Sequence, residues 1–372
     1  MRKKGHEGLG PLCTARGRSG TATEHASKRE GCRARTATLS KLSVPVSTSV
    51  PPLPAPESSP RVVFKFGGTS VGAPERFETV ISILREAAAT AAPVVAIVSA
   101  LSQVSRQLSG AVERVATQAD GQAVGASVID TLRARHQQQA EAVLSAERQE
   151  AYAAVLDERL GALRERFAAV EASGFTPAAR DAVLATGEQL SVPMVTLALR
   201  DAGLRAPHCH ATRLVVTDNT HGEAHVNTEA TARCVQNWYQ ALAPDAVPVV
   251  AGFIGATPAG DTTTLGFEGS DYSASLFARI LGARCLTRYT DVDGLYTADP
   301  SAHDDAQRLD RLSMDEAFAM TESGDLGMHP KTLRPLADAN IPMQVRSIVQ
   351  PDRPGTSILP TDGSTEALWP AP

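Results

Sequence analysis

The sequence predicts an α/β protein built on a mainly parallel sheet, and three observations carry that prediction. The 372-residue chain is 42% hydrophobic but only 4% aromatic, which suits Ala-, Val- and Leu-rich helices on buried strands better than an aromatic-rich β-sandwich. Apolar runs at Val62–Phe66 and Val94–Val98 stand beside glycine or proline, as do central strands with both faces covered. Between them Phe77, Val80, Ile81 and Leu84 recur at helical spacing, completing a βαβ rhythm.

Residues 1–60 contain ten Lys or Arg against four Glu, a balance of +6, so the remainder carries −11 of the total −5. Positions 47–60 read STSVPPLPAPESSP, a composition that cannot bury enough surface to offset ordering entropy. The folded part is therefore expected to begin at Arg61, after a disordered or targeting-like extension. That extension lacks the aromatic interleaving, periodicity and dense basic runs of a nucleic-acid arm. Its Arg-rich, acid-poor composition fits an organellar transit peptide, a misassigned start codon or plain disorder equally well. The expected compartment is the cytoplasm, or the plastid if the extension is a transit peptide. The five cysteines, Cys13, Cys32, Cys209, Cys234 and Cys285, show no paired spacing, so neither a disulfide framework nor a zinc site is indicated. No apolar run approaches bilayer-spanning length and no secretory core precedes the domain, so no membrane partner is expected.

Further along, residues 111–171 are rich in Ala, Glu, Gln and Arg and predict a long helical excursion that 173–177 breaks. Thr176 followed by Pro177 looks like a helix start. Strands are predicted at 248–254, Cys285–Thr290 and 342–345, and helices at 272–281 and 314–321, the last with Ser313 and Glu316 as a capping box. No repeat of solenoid period appears.

Three strings carry candidate chemistry. Lys65-Phe66-Gly67-Gly68-Thr69-Ser70-Val71 stands where a strand ends and a helix begins. Glycines there let backbone N–H groups approach phosphate oxygens, and a strand lysine can neutralise their charge. It is not a Walker A loop. Gly266-Phe267-Glu268-Gly269-Ser270-Asp271-Tyr272 is a second glycine loop feeding a helix, with Ser270 or Asp271 suited to capping it. Thr290-Asp291-Val292-Asp293-Gly294-Leu295-Tyr296-Thr297-Ala298-Asp299-Pro300 marks two turns after a strand, whose carboxylates suit a metal, ribose hydroxyls or simple turn capping.

In this order and at these separations, the three strings resemble the signatures of aspartokinases, members of the amino-acid-kinase superfamily. Supporting pieces are Val98-Ser99-Ala100-Leu101-Ser102, Ala185-Thr186-Gly187-Glu188, and Met328-His329-Pro330-Lys331-Thr332 before Ile341-Pro342, so the resemblance covers residues 61 to about 360. It implies an αβα sandwich of the carbamate-kinase-like type, with an amino-acid lobe at 61–250, an ATP lobe at 251–360 and a tail at 361–372. The implied reaction is ATP-dependent phosphorylation of the L-aspartate side-chain carboxylate to 4-phospho-L-aspartate, the first step toward lysine, threonine and methionine. ATP is the co-substrate, Mg2+ the accompanying ion, and no resident metal site is implied.

By position, the resemblance places Lys65 on the transferring phosphoryl group and Gly67, Gly68 and Ser70 around the phosphates. Glu188 matches a glutamate that pairs with the substrate ammonium, and Ser105 falls where relatives place a substrate-contacting threonine. Gly269 and Ser270 would complete the substrate loop, Asp271 would organise the phosphate and magnesium region, and Thr290, Asp291 and Tyr296 would contact nucleotide. A homodimer is implied by family analogy alone.

Three positions depart from the pattern where cationic residues are usual: Phe267 in the glycine loop, Ser301 after Asp-Pro, and the segment Gly324-Asp325-Leu326. No other side chain offers the planar fork of an arginine. Lys331, Arg334, Arg279 and Arg346 are candidate replacements, each also readable as a solvent-facing base, whereas His329 beside Pro330 reads as structural. These departures keep two rivals open: a catalytically impaired nucleotide-binding or regulatory homologue, and a kinase of this fold with a different acceptor. Only a short tail follows Ile358, so insensitivity to lysine and threonine feedback is expected unless a separate subunit supplies it.

Overall fold

A computed structural model describes residues 61–90, 93–298, 303–323 and 328–360. The chain enters as strand β1 (Val62–Phe66), all five residues buried, then α1 (Gly68–Val71), α2 (Pro74–Ala89) and β2 (Val94–Val98). Pro74 at the first helical position starts α2, and Phe77, Val80, Ile83, Leu84 and Ala87 bury one face of it. The predicted excursion follows as α3 (Val104–Thr117), α4 (Gly121–Val143) and α5 (Ala146–Ser173). It is thus three helices rather than one. Gly121 permits the first break, because a Cβ there would lie 2.5 Å from the Val115 carbonyl oxygen.

Next come α6 (Pro177–Leu184), α7 (Thr186–Asp201), β3 (His208–Cys209), α8 (Thr228–Gln240), β4 (Val249–Ala251), β5 (Ile254–Ala256) and β6 (Thr262–Thr264). The predicted Thr176 start is present, its hydroxyl accepting from the Ala179 N–H at 3.1 Å. The strand expected at 248–254 is instead divided into β4 and β5. Phe253 between them takes φ 70°, a left-handed value that no strand residue holds. The stretch Pro177–Asp201 is apolar and long enough to cross a membrane by length and composition, contrary to the expectation from sequence, but 89% of its apolar window is buried inside the protein. Its apolarity is that of a core helix.

The remainder is α9 (Gly269–Leu281), β7 (Cys285–Thr290), β8 (Leu295–Tyr296), β9 (Arg308–Leu309), β10 (Arg311–Ser313), α10 (Met314–Ser323), α11 (Pro330–Ala337), β11 (Met343–Ser347) and β12 (Thr356–Leu359). The capping box before α10 forms as predicted: Ser313 Oγ accepts from the Glu316 N–H while the Glu316 carboxylate accepts from the Ser313 N–H. Helix α9 begins earlier than predicted. Glu268, in the left-handed region, stands at its N-cap without a side-chain bond, so Ser270 and Asp271 lie inside the first turn rather than capping it.

Among the described residues the main sheet has the order β10-β12-β11-β7-β1-β2-β4-β3, and every pairing in it is parallel except β11 with β12. Helices cover both faces, giving the α/β architecture expected. Two consequences fix the site. The carboxyl ends of β2, β1 and β7 lie side by side at the middle of the sheet, and the loops leaving them meet there. Register also pairs Lys65 of β1 with Ile97 of β2 on one side and Arg288 of β7 on the other, so these side chains share a face.

Candidate active site

The turn after β1 is built for close approach. A Cβ on Gly68 would lie 2.7 Å from the Ala100 carbonyl oxygen, and one on Gly72 would lie 2.7 Å from the Gly68 carbonyl oxygen and 2.9 Å from Ser102 Oγ. The Ser102 N–H donates to the Gly68 carbonyl at 3.0 Å, locking the loop after β2 onto the glycine turn. Gly67 is half-buried, with Lys65 Nζ 3.5 Å from where a Cβ would stand. Ser70 is fully buried, and its hydroxyl donates to the Tyr289 carbonyl at 3.4 Å. It ties the turn to β7 rather than facing open space.

Lys65 is the charged member of an otherwise apolar strand. Its Nζ lies 2.9 Å from Asp271 Oδ2 in the first turn of α9, with side-chain exposures of 8% and 7%. The second oxygen, Oδ1, lies 3.0 Å from Arg288 Nε. One carboxylate is therefore shared by two cations on adjacent strands. Burial alone would raise the Asp271 pKa, but Arg288 and then Lys65 hold it below its ordinary value. Burial lowers that of Lys65, and the attraction of Asp271 opposes the shift.

On the other side of Lys65 stands Glu188, in the first turn of α7 and 2% exposed. Its Oε1 accepts from the Ala100 N–H at 3.1 Å, while its buried Oε2 has no hydrogen-bond partner. Burial pushes its pKa up to about 8, with Ala100 and Lys65 pulling against that rise. An orphaned buried carboxylate oxygen is costly. It marks a place for a cationic group. Ser105, half-buried, lies in the first turn of α3, the helix fed by the same loop.

The second glycine loop closes over this arrangement. A Cβ on Gly252 would lie 2.7 Å from Ser270 Cβ, and one on Gly269 would lie 2.8 Å from the Phe253 ring, so both glycines allow the loops after β4 and β6 to touch. Glu268 accepts from the His329 N–H, and Lys331 Nζ donates to the Leu265 carbonyl at 2.8 Å. His329 itself caps α11 through Nδ1, 3.1 Å from the Lys331 N–H, the structural role expected of it. Phe267 projects from the loop with 72% exposure.

The third string leaves the end of β7 immediately beside the first. Tyr289 stacks on Phe66, rings 5.2 Å apart and 8° from parallel. Thr290 then donates to the Asp291 carboxylate at 3.1 Å, and the Tyr296 hydroxyl donates to Asp293 at 2.5 Å. Ser301 and Gly324-Asp325-Leu326 lie outside the described residues.

Lys65, Asp271, Glu188 and the two glycine loops thus come together at the sheet's carboxyl edge. Two residues at this centre were missed from sequence: Arg288, and Glu268, whose charge interacts with both Arg288 and Lys65. The signal for Arg288 was present, since an arginine inside a buried parallel strand requires a partner. The four replacement bases lie elsewhere or are engaged: Arg279 pairs with Asp338 at 2.8 Å, Arg334 lies over Phe318, Arg346 is buried with one nitrogen bonded to the Pro351 carbonyl, and Lys331 holds the glycine loop.

The amino acid kinase family model matches residues 60–347. The chain belongs to that family. Within it, the similarity is to aspartokinases. The chain is 33% identical over 328 residues to an aspartokinase of Chlamydia trachomatis, covering 84% of this chain and 70% of that protein. It is 30% identical over 299 residues to the chloroplastic bifunctional aspartokinase/homoserine dehydrogenase 1 of Zea mays, covering 80% of this chain. That match takes in 32% of the maize protein, so the chain spans about a third of it. In three dimensions it superposes on E. coli aspartokinase III in complex with aspartate and ADP with a TM-score of 0.73 at 27% identity, covering 81% of this chain and 64% of that one.

Proposed function

We propose that the protein is an aspartokinase, transferring the γ-phosphoryl group of ATP to the side-chain carboxylate of L-aspartate. The observation that carries this reading is the juxtaposition of Glu188, with its buried unpartnered oxygen, and the Lys65–Asp271–Arg288 cluster across the end of β1. An amino acid has an ammonium for the first and presents an anionic carboxylate to the second. The acceptor is already ionised at neutral pH and needs no general base. Catalysis then consists of bringing two anions together and offsetting their repulsion.

In this reading Glu188 orients the acceptor through its ammonium, with Ser105, Gly269 and Ser270 beside it. Lys65 meets the transferring phosphoryl oxygens, and the amides of Gly67 and Gly68 contribute further donors. Ser70 supports that turn from beneath. Thr290, Asp291 and Tyr296 line the nucleotide side. A magnesium ion would be carried mainly by nucleotide phosphates and water, with Asp271 as the carboxylate to reach it. When bound, the ion neutralises phosphate charge.

Phe267 supports a second reading. An exposed phenyl ring in the acceptor loop offers no hold on a second carboxylate, so nucleotide binding could persist with a different acceptor or with little turnover. The test is an assay of the full chain with Mg-ATP and L-aspartate, trapping acyl phosphate with hydroxylamine beside a Lys65→Ala control. Hydroxamate formed by the parent and lost in the control is the expected result. ATP binding with no hydroxamate would sink the aspartokinase reading and favour the second.

A further inference from the structure

We infer that Arg288 is a phosphate-binding residue of this protein, gripping nucleotide phosphate oxygens beside Lys65. The inference rests on the nucleotide reading above and assigns a contact within it. Arg288 and Lys65 are register partners on β7 and β1, and both lean on Asp271 from below α9. The 3.0 Å approach of Arg288 Nε to Asp271 Oδ1 is an ion pair without the alignment of a hydrogen bond, and both atoms are buried without any other partner. The ion pair therefore engages Nε and leaves the two terminal nitrogens of the guanidinium uncommitted to Asp271. These two nitrogens make no hydrogen bond to any described residue, and the side chain remains 16% exposed.

Those nitrogens present the flat, forked donor set that matches two oxygens of a phosphate. Charge points the same way. Lys65 and Arg288 share one carboxylate, and of the other two acids in range Glu268 is occupied by the His329 N–H and Glu188 by the Ala100 N–H, both pushed toward their neutral forms by burial. The cluster is left with a deficit of negative charge that an incoming oxyanion would fill.

Position separates phosphate from acceptor carboxylate. Glu188 reaches the end of β2 through Ala100, Lys65 sits on β1, and Arg288 sits on β7, so Arg288 is on the side of Lys65 away from the ammonium receptor. Two residues beyond it the chain enters the Thr290-Asp291 loop. Phe267 adds no cation from above.

The test is calorimetric binding of ADP, adenosine and L-aspartate to the full chain and to its Arg288→Met and Arg288→Lys variants, with melting temperature as a check on folding. Arg288→Met should lose about tenfold or more in ADP affinity, as expected for a lost charged hydrogen bond. Adenosine and L-aspartate affinities should stay within about twofold of the parent, and the lysine variant should recover part of the loss because it restores charge without the fork. Unchanged ADP affinity overturns the inference. So does an equal loss for adenosine, which would show a role in the shape of the site, or a loss confined to L-aspartate, which would move Arg288 to the acceptor. A parent that binds no ADP overturns the nucleotide reading itself and the inference with it.

Discussion

Asp271→Asn is nearly isosteric and removes one charge from the centre of the site. In the parent, Asp271 lies 2.9 Å from Lys65 Nζ and 3.0 Å from Arg288 Nε. Taking one partner from a buried ion pair costs about 3–5 kcal/mol, because the remaining charge stays buried without compensation. Here two cations stay behind on adjacent strands. Their mutual repulsion, about 3 kcal/mol at a separation of roughly 5 Å and an effective dielectric of about 20, was previously offset by the carboxylate between them. Lys65 limits the total by releasing its proton, which burial already encourages. The net expectation is a loss of about 3–5 kcal/mol, a large share of the roughly 5–15 kcal/mol by which a domain is stable.

Urea unfolding at pH 7 measures this loss, and the hydroxamate assay should show a fall of about a hundredfold or more from loss of the lysine charge. The pH dependence has a definite sign. Asparagine removes the attraction that raises the Lys65 pKa, so the folded value drops further below 10.5. Between the folded and unfolded values the unfolded chain binds more protons, so stability rises with pH. The variant should recover part of its deficit as pH is raised toward 10.5. A variant within about 1 kcal/mol of the parent at pH 7, with a rate within about twofold, would refute the shared-carboxylate account.

Three further outcomes follow from the same geometry. Glu188 has its pKa pushed up to about 8 from 4.5. The folded protein therefore holds a proton that the unfolded chain releases, and stability falls as pH rises from about 4.5 to 8, by at most roughly 5 kcal/mol. L-Aspartate affinity should rise over the same approach to pH 8, by up to about tenfold per unit, and Glu188→Gln should flatten both slopes. Gly68→Ala places a methyl group 2.7 Å from the Ala100 carbonyl oxygen, and chemical denaturation should show a loss of about 1–3 kcal/mol. His136 is fully buried, its Nδ1 bonded to the Leu132 carbonyl at 2.7 Å and its Nε2 without a partner, and burial lowers its pKa to about 4. Its contribution is complete above about pH 6.5 and is lost as pH falls toward 4, on the order of 3 kcal/mol. His136→Leu should remove that acid-limb slope in urea titrations at pH 4.5, 5.5 and 7.

Local elements were legible in the chain wherever a short stretch carried its own reason. Val94–Val98 is an unbroken apolar run and Val62–Phe66 is one interrupted only by Lys65, and the strands form at those residues. Thr176 and the Ser313–Glu316 box cap their helices as neighbours in sequence must. Reading failed where a distant contact set the conformation. Phe253 turns left-handed because the chain there must receive the second glycine loop, its carbonyl accepting from the Leu265 N–H at 2.8 Å. Glu268 likewise starts α9 early while held by the loop before α11.

The site divides along the same line. Composition and the apolar runs pointed to the α/β class, and the three strings with the Ala185–Glu188 segment, through their resemblance to aspartokinases, pointed to Lys65, Glu188 and Asp271, because a phosphate turn and a helix start are written within a few consecutive residues. Only the tertiary structure decided that Asp271 answers two cations, that Glu188 keeps an unpartnered oxygen beside Lys65, and that Arg288 is the second cation of the centre. Lys65 and Arg288 are 223 positions apart in the chain and become neighbours through the parallel register of β1 and β7. Strand order within a sheet is a property of the whole packed core, where each strand is placed by the helices covering it, and no local run of residues contains it.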